Sequence, residues 1–296
     1  VATKKIKDVI DTLNSKKSQN SIKKHALFVR NNLNWTDQIY STCKNVFDNF
    51  KIINKKISVC IPTLNAGNNF EKLLYSLQYQ KFVDIELCII DSGSHDKTLF
   101  LAEKYFPNVK IKSIKKSDFG HGKTRNDLAR MASNKSVLFL TQDAIPMDDL
   151  LAISMHMQLQ KNKKVVGVFS RHEAYPCHNP FIRDSISSQF DRIAKEFSDN
   201  NFSTNQNESK NKKFFSTNCC LVNKEVLLKY PFKDVSYGED QLWMYDMLNM
   251  GYGSAYIDDV SVMHSHDYDS KELFNMTKTD IEYHAINFSD YRVMNL

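Results

Sequence analysis

The sequence contains no apolar run of the roughly 18 to 20 residues that a membrane-spanning helix needs. Its start, Val1-Ala2-Thr3-Lys4-Lys5, also lacks the apolar core of a secretory signal. Both absences favour a cytoplasmic protein. Because the first residue is not Met, we expect a piece of a longer protein, which leaves room for another catalytic domain in the full-length chain.

A strong excess of either charge is missing too, since 40 basic and 34 acidic residues leave a formal net charge of +6. Lysine and arginine are scattered rather than interleaved with aromatic residues, which argues against a nucleic-acid partner. Several lysines do cluster within residues 1–56. This pattern is typical of a solvated helix face, and peripheral contact with anionic lipid is the alternative.

The six cysteines follow no metal-binding spacing. Cys60 and Cys88 lie inside apolar runs, and Cys219 and Cys220 are adjacent. We expect buried, reduced thiols rather than a zinc site. No internal repeat is visible.

What the chain does have is an alternation of apolar runs and amphipathic segments. Residues 57–61 and 85–90 are typical of buried parallel strands, and apolar residues recur at helical spacing over 70–77. Further strands are predicted over 109–114, 137–140 and 165–169, and further helices over 99–106, 124–131, 150–159 and 182–197. The alternation predicts an α/β protein with a mostly parallel sheet flanked by helices.

Four short polar segments follow apolar runs, where strands end: residues 62–65, 91–94, 141–144 and 238–241. In open α/β sheets, ligands bind beyond the carboxyl ends of the strands. These segments therefore predict the position of the site.

Asp91 follows the second strand, where a free carboxylate accepts hydrogen bonds from a ribose hydroxyl or a base imide. Thr63 and Asn65, at the end of the first strand, complete such a nucleotide pocket. The same pocket is assigned three further residues, Pro62, Ser92 and Gln142. The alternative is that Asp91 only caps the next helix, which Ser94 is also placed to do.

Asp143 follows another strand, and one carboxylate with phosphate oxygens and water is a common way to hold Mg²⁺ or Mn²⁺. Such an ion offsets charge on a departing diphosphate. His264 adds an imidazole ligand from a strand end, which favours manganese. A lone strand-end histidine is more often structural, but His266 points the same way along the strand.

Glu239 and Asp240 precede an apolar run that Gly251 ends, so both carboxylates belong to the first turn of a helix. The helix dipole explains negative charge there without catalysis. The pair also suits a division of labour, in which Asp240 is the general base and Glu239 orients it or binds the acceptor.

The segment 118–126 resembles the end of a P-loop at Gly122-Lys123-Thr124, but Ser117 stands where that motif requires glycine. What remains is a turn that leads into a helix N-terminus and carries His121, Lys123 and Arg125. These donors are predicted to contact a diphosphate. Arg171 and His172 follow another strand and serve likewise or form a surface pair.

Five motifs in order carry a resemblance: His121-Gly-Lys-Thr-Arg-Asn, Leu140-Thr-Gln-Asp-Ala-Ile-Pro, Phe215-Ser-Thr-Asn, Tyr237-Gly-Glu-Asp-Gln-Leu-Trp and His264-Ser-His-Asp-Tyr. Over residues 56–270 the chain resembles a family 2 glycosyltransferase of the GT-A fold, most similar to the bacterial rhamnosyltransferase-like branch. The resemblance implies an inverting, metal-assisted transfer from a nucleoside diphosphate sugar. It puts Asp91 on the nucleotide, Asp143 at the metal and Asp240 as the base.

One departure from the family is that Thr141 stands where the usual metal motif has its first aspartate. The resemblance divides the chain into an N-terminal helical extension (1–56), a nucleotide-sugar-binding half (57–150), an acceptor-binding half (151–270) and a C-terminal helical segment (271–296). The last segment is expected to link to a further domain. The polar stretch 198–213 is expected to be a mobile loop near the acceptor, because it buries too few apolar groups to offset its ordering entropy.

The leading hypothesis is an enzyme of bacterial O-antigen or capsule synthesis that uses a dTDP- or UDP-sugar and a glycan or lipid-linked acceptor. Acceptor binding is assigned to five residues, Arg171, Asn218, Tyr237, Trp243 and His266. The alternatives are a sugar nucleotidyltransferase, which releases pyrophosphate, and a catalytically silent sugar-binding or scaffolding module.

Overall fold

A computed structural model of the chain describes residues 54–197, 202–203 and 214–287, which belong to a unit that begins at Asn54. The helices expected over residues 1–56 lie outside the described part, apart from positions 55 and 56, which already belong to the first strand. Most of the expected loop 198–213 also lies outside it, although Phe202–Ser203 forms a short strand. None of the described helices combines the length and apolarity that crossing a bilayer requires.

The first half of the unit is a parallel sheet built by alternating strands and helices, as the sequence predicts. Its strands are β1 (Lys55–Thr63), β2 (Val83–Asp91), β3 (Lys110–Ser113) and β4 (Ser136–Leu140). Its helices are α1 (Gly67–Gln78), α2 (Thr98–Tyr105) and α3 (His121–Met131). The strand order is β3-β2-β1-β4, and every pair is parallel, so the carboxyl ends lie at one edge.

The second half extends this sheet with strands of mixed direction. The elements are β5 (Ile145–Pro146), α4 (Leu151–Gln160), β6 (Val165–Glu173), α5 (Pro180–Glu196), β7 (Phe202–Ser203), β8 (Cys219–Asn223), α6 (Lys224–Lys229), α7 (Glu239–Asn249), β9 (Gly253–Met263) and α8 (Ser270–Asn287). The order continues from β4 as β8-β6-β9-β5. β8 runs antiparallel to both β4 and β6, whereas β6 and β9 are parallel.

Both faces of the sheet are covered, which explains why its strands read as nearly continuous apolar runs. In β1, Ile57, Val59 and Ile61 enter one core cluster, while Cys60 enters the cluster on the other side. Cys60 pairs in register with Cys88, and both thiols are fully buried, as expected. Burial raises the pKa of the Cys60 thiol well above its usual value.

Helix α1 shows how the spacing of apolar residues produces the packing. Phe70, Leu73, Leu74 and Leu77 lie on one face and are at most 1% exposed. Burying each such side chain contributes about 1.5–3 kcal/mol relative to exposure. The expected helix cap at Ser94 is wrong, because α2 begins later, at Thr98, and Ser94 bonds to Asp91 instead.

Candidate active site

A cavity of about 900 Å³ opens beyond the carboxyl ends of β1, β2 and β4. Its wall is completed by the start of α3, the segments 214–218 and 236–241, and residues of α5 and α8. The residues that the sequence assigned to the site and that line this cavity are Pro62, Thr63, Ser92, His121, Arg125, Gln142, Asp143, Asn218, Tyr237, Glu239, Asp240, His264 and His266. The cavity therefore lies where ligands bind in open α/β sheets.

Asp91 lies behind the cavity wall rather than in it. Its Oδ1 accepts hydrogen bonds from the Thr63 hydroxyl (2.7 Å) and the Ser94 hydroxyl (2.5 Å). Its Oδ2 accepts from the backbone N–H groups of Gly93 (3.1 Å) and Ser94 (2.8 Å). Four donors fill the capacity of a carboxylate, so the expected contact with a nucleotide is not what this side chain makes in the structure.

The charged form of Asp91 is stabilised by this arrangement. Burial acts to raise the pKa of the Asp91 carboxyl, but the hydrogen bonds from Ser94, Thr63 and Gly93 outweigh it and lower the pKa below its usual value. The ionised Asp91 carboxylate therefore fixes the loop after β2 through these hydrogen bonds. The sequence cannot show this, because it does not reveal which donors surround a strand-end carboxylate.

Gln142 and Asn65 also use their side chains to hold neighbouring strand-end loops together. The Gln142 amide donates to the Leu64 carbonyl (3.2 Å) and accepts from the Leu64 N–H (2.8 Å), so it ties two strand ends together. Asn65, with a left-handed φ of 46°, accepts from the His95 N–H (2.8 Å) and does not line the cavity.

Asp143, His264 and His266 offer three ligand atoms that lie within 4.8 Å of one another. His264 Nε2 is 3.6 Å from one Asp143 oxygen, and His266 Nε2 is 3.9 Å from the other. Burial lowers the pKa of His264 to about 4, against the opposing effect of Asp143. Neutral imidazole with a free nitrogen lone pair is the form that binds metals, so this donor set fits a divalent cation.

The loops that carry these three side chains are fastened to each other. The Tyr175 hydroxyl donates to the Asp143 carbonyl (2.9 Å), and the Tyr175 N–H donates to the Ser265 hydroxyl (2.9 Å). Ser265 is in turn 2.7 Å from His178 Nδ1. Thr141, at the position of the missing aspartate, lines the cavity, and its hydroxyl has no partner among the described residues.

Glu239 and Asp240 form the first turn of α7, as the sequence predicts. Glu239 is buried and accepts from Arg125 Nη1 (2.9 Å). Asp240 is half-buried, and its Oδ2 accepts from the N–H (2.8 Å) and the hydroxyl (3.1 Å) of Thr217. Burial and the adjacent Glu239 raise the pKa of Asp240 to about 6.

Only part of the expected diphosphate-binding group faces the cavity. His121 and Arg125 line it, whereas Lys123 is exposed outside it. Burial, and then Arg125, lower the pKa of His121, against the opposing effect of Asp240.

Two acceptor-binding assignments do not agree with the structure. Arg171 lies outside the cavity and pairs with Glu173 (2.6 Å), Asp191 (2.8 Å) and Asp258 (3.2 Å). Trp243 is 2% exposed and donates its indole N–H to the Tyr230 carbonyl (2.6 Å), so it belongs to the core. Its indole packs against the rings of Phe215 and Phe232, although Trp243 lies only three residues after Asp240.

Sequence reasoning missed several residues of the wall. Thr217 bonds both carboxylates of the pair, and its place in the motif Phe215–Asn218 was the available signal. Leu273 and Met276 of α8 also line the cavity, although no motif marks them. Helix α8 is therefore part of the site wall.

Comparison with known proteins agrees with this geometry. The model of glycosyl transferase family 2 matches residues 58–230. The O-antigen chain rhamnosyltransferase RfbN of Salmonella typhimurium is 30% identical over 229 residues, which cover 74% of this chain and 69% of the relative. A glucosyltransferase of Campylobacter jejuni that acts on GalNAc(5)-diNAcBac-PP-undecaprenol is 27% identical over 64% of this chain and 59% of its own length.

Solved structures share the fold at lower identity. The mannosyltransferase PcManGT of Pyrobaculum calidifontis, solved with GDP-Man and Mn²⁺, superposes with a TM-score of 0.59 at 16% identity and covers 80% of this chain. The present chain spans 65% of that protein, just under two thirds. Staphylococcus aureus TarS 1-349 in complex with UDP-GlcNAc gives a TM-score of 0.54 at 18% identity, covering 81% of this chain and 68% of its own. With this fold and the match over most of the described unit, the chain belongs to glycosyl transferase family 2.

Proposed function

We propose that this chain transfers a sugar from a dTDP- or UDP-linked donor to a hydroxyl group of a glycan acceptor, with inversion at the anomeric carbon. The observation that carries the proposal is that Asp240 shares one cavity with the Asp143, His264 and His266 cluster. A base and a site for a diphosphate-bound cation in one cavity are what this transfer needs.

Asp240 suits the role of base because burial and Glu239 raise its pKa to about 6. General bases work best when their pKa lies near the working pH, where they are ionised yet still basic. In the proposed reaction, Asp240 takes the proton of the acceptor hydroxyl while the oxygen of that hydroxyl forms a bond to the anomeric carbon. The bond from that carbon to the diphosphate oxygen breaks, and attack from the opposite face inverts the centre.

A divalent metal would be held by Asp143, His264 and His266, with manganese favoured over calcium by the two imidazoles. When bound, such an ion offsets the charge that develops on the departing diphosphate. Residues of the chain itself fix the proposed base and the proposed metal ligand. The Thr217 N–H donates to Asp240, and the Tyr175 hydroxyl donates to the Asp143 carbonyl.

The pathway we propose is bacterial surface polysaccharide synthesis, O-antigen or capsule, with rhamnose or another hexose as the transferred sugar. Support comes from the relatives named above, one of which is an O-antigen chain rhamnosyltransferase. A nucleotidyltransferase would release pyrophosphate instead, and a silent module would release nothing.

A donor panel tests the proposal. The protein is incubated with dTDP-rhamnose, UDP-hexoses and GDP-mannose, each with and without Mn²⁺, and the released nucleoside diphosphate and pyrophosphate are quantified. We expect metal-dependent release of a nucleoside diphosphate that accelerates when a glycan acceptor is added. Pyrophosphate as the product, or no product with any donor and acceptor, would contradict the proposal.

A further inference from the structure

The first turns of α3, which the sequence assigned to a diphosphate, contact the segment that leads into α7. The Asn126 side-chain amide donates from Nδ2 to the Phe232 carbonyl (2.9 Å), and the Phe232 N–H donates back to the side-chain oxygen Oδ1 of Asn126 (3.0 Å). A side chain added at Gly122 would place its Cβ 2.2 Å from the Lys233 carbonyl oxygen. The glycine therefore allows close backbone contact with residues 232–233.

One turn further along the same face, Arg125 holds Glu239. The two side chains are 4% and 6% exposed, and Arg125 Nη1 donates to Glu239 Oε1 at 2.9 Å. Arg125 Nη1 also lies 3.3 Å from the His121 carbonyl oxygen, so its position is fixed from its own helix as well. The ion pair thus joins the second turn of α3 to the residue directly before the proposed base.

Thr217 joins the two carboxylates from the other side. Its hydroxyl lies 3.3 Å from Glu239 Oε1 and 3.1 Å from Asp240 Oδ2. In a buried network of this kind the position of each group depends on the others. Moving Glu239 would therefore move the carboxylate that faces the cavity.

Several titratable groups surround Asp240, and their charges oppose one another. Glu239 and burial disfavour its ionised form, while Arg125 favours it. The other facing groups are His121 of α3, Cys220 of β8, Tyr237 of the preceding segment and Tyr283 of α8.

We propose that Arg125 is a positioning residue: by pairing with Glu239 it holds the Asp240 carboxylate in position, and it does not serve as a diphosphate ligand. Asn126 and Gly122 anchor the same segment. The inference rests on the function proposed above, because it presumes that Asp240 is the base.

Opposite pH shifts in two single variants test the inference. In Arg125→Gln, kcat should fall about 10²-fold, as expected for a small misplacement of a reacting group. The acid limb of its kcat profile should move to higher pH, because the cation that favours ionised Asp240 is gone. In Glu239→Gln the limb should move to lower pH, because the neighbouring negative charge is gone.

Affinity separates positioning from diphosphate binding. Arg125→Gln should leave the donor KM and the Kd of the nucleoside diphosphate unchanged, with the whole effect in kcat. A raised KM and Kd at normal kcat would instead make Arg125 a diphosphate ligand and overturn the inference. Arg130→Gln, on the exposed face of α3, is the matched control for loss of one positive charge and should change neither quantity.

The double variant guards against simple unfolding. Arg125→Gln and Glu239→Gln each leave an unpaired buried charge, which is strongly destabilising, whereas the double variant keeps a neutral amide pair of similar shape. Its Tm should lie above that of either single variant. Acid limbs that move in the same direction in both single variants would show a merely structural contact.

A titration that needs no turnover separates this inference from the proposed function. Carboxyl ¹³C NMR of Asp240 should show its pKa raised in Arg125→Gln and lowered in Glu239→Gln. If no donor is turned over, the proposed function fails while the NMR shifts still test the Arg125 contact.

Discussion

Asp91 lies behind the wall of the cavity and Asp240 lies in that wall, and their surroundings shift the pKa values of these two aspartates in opposite directions. Asp91 receives four hydrogen bonds, and its pKa is lowered. Burial and the neighbouring Glu239 raise the pKa of Asp240, and the hydrogen bonds that Asp240 accepts do not outweigh these two effects. A saturated carboxylate is stable in its charged form and serves the loop, whereas an under-stabilised one is ready to accept a proton.

The largest effect is expected at Asp240, the proposed base. Asp240→Asn should lower kcat by about 10² to 10⁴-fold, because the amide cannot accept the acceptor's proton. Nucleotide affinity, measured by calorimetry, should stay nearly the same, since binding does not need the base. A variant with full turnover would move the base to Glu239 or elsewhere.

The proposed metal-binding group of Asp143, His264 and His266 gives the next largest expected effect. His264→Ala should weaken Mn²⁺ binding by about 10²-fold or more, because even the outer partners of metal ligands cost 10 to 100-fold when lost. The measurement is the Mn²⁺ concentration that half-restores activity after chelation. His95→Ala, an exposed histidine outside the cavity, is the control and should need no more Mn²⁺ than the unaltered protein.

The structural role of Asp91 is tested by the free energy of unfolding rather than by the reaction rate. In Asp91→Asn the amide nitrogen cannot accept from the backbone N–H groups of the loop. Lost hydrogen bonds to a charged group cost about 1.5–3 kcal/mol each, so the free energy of unfolding should fall by at least one such amount. Denaturant titration measures it. A variant of normal stability with strongly reduced nucleotide affinity would restore Asp91 to the nucleotide site.

Tyr283 provides the smallest expected effect. Its hydroxyl donates to the Gly238 carbonyl (2.6 Å), at the residue before α7. Tyr283→Phe should lower the free energy of unfolding by about 1 kcal/mol, the typical value of one hydrogen bond. Tyr79→Phe, on the exposed end of α1, should cost less, and equal losses would remove the special role of α8 at this position.

Local patterns predicted most of the first half of the fold. Helix α1 and strands β1, β2 and β4 are short-range features, and their apolar spacing reports them directly. The strand β8 was missed, because its five residues are too few to show a periodic pattern and no turn signal marks them. Its antiparallel place between β4 and β6 depends on long-range pairing.

The site was predicted in outline, since residues of all four polar segments line one cavity, although 238–241 begins α7 and does not follow a strand. Residue roles were harder to predict than residue positions. Whether Arg125 faces a ligand or Glu239, and whether Trp243 faces an acceptor or the core, depends on partners more than 10 residues away in sequence. Such partners cannot be read from spacing.

Helix α8 lies beyond residue 230, where the family match ends, yet its Leu273 and Met276 face the cavity. A protein shortened to the matched stretch would lose Asp240, the proposed base, as well as this apolar part of the wall. Conversely, exchanging α8 between related chains would alter this apolar part of the cavity while the lining residues at the strand ends stay the same.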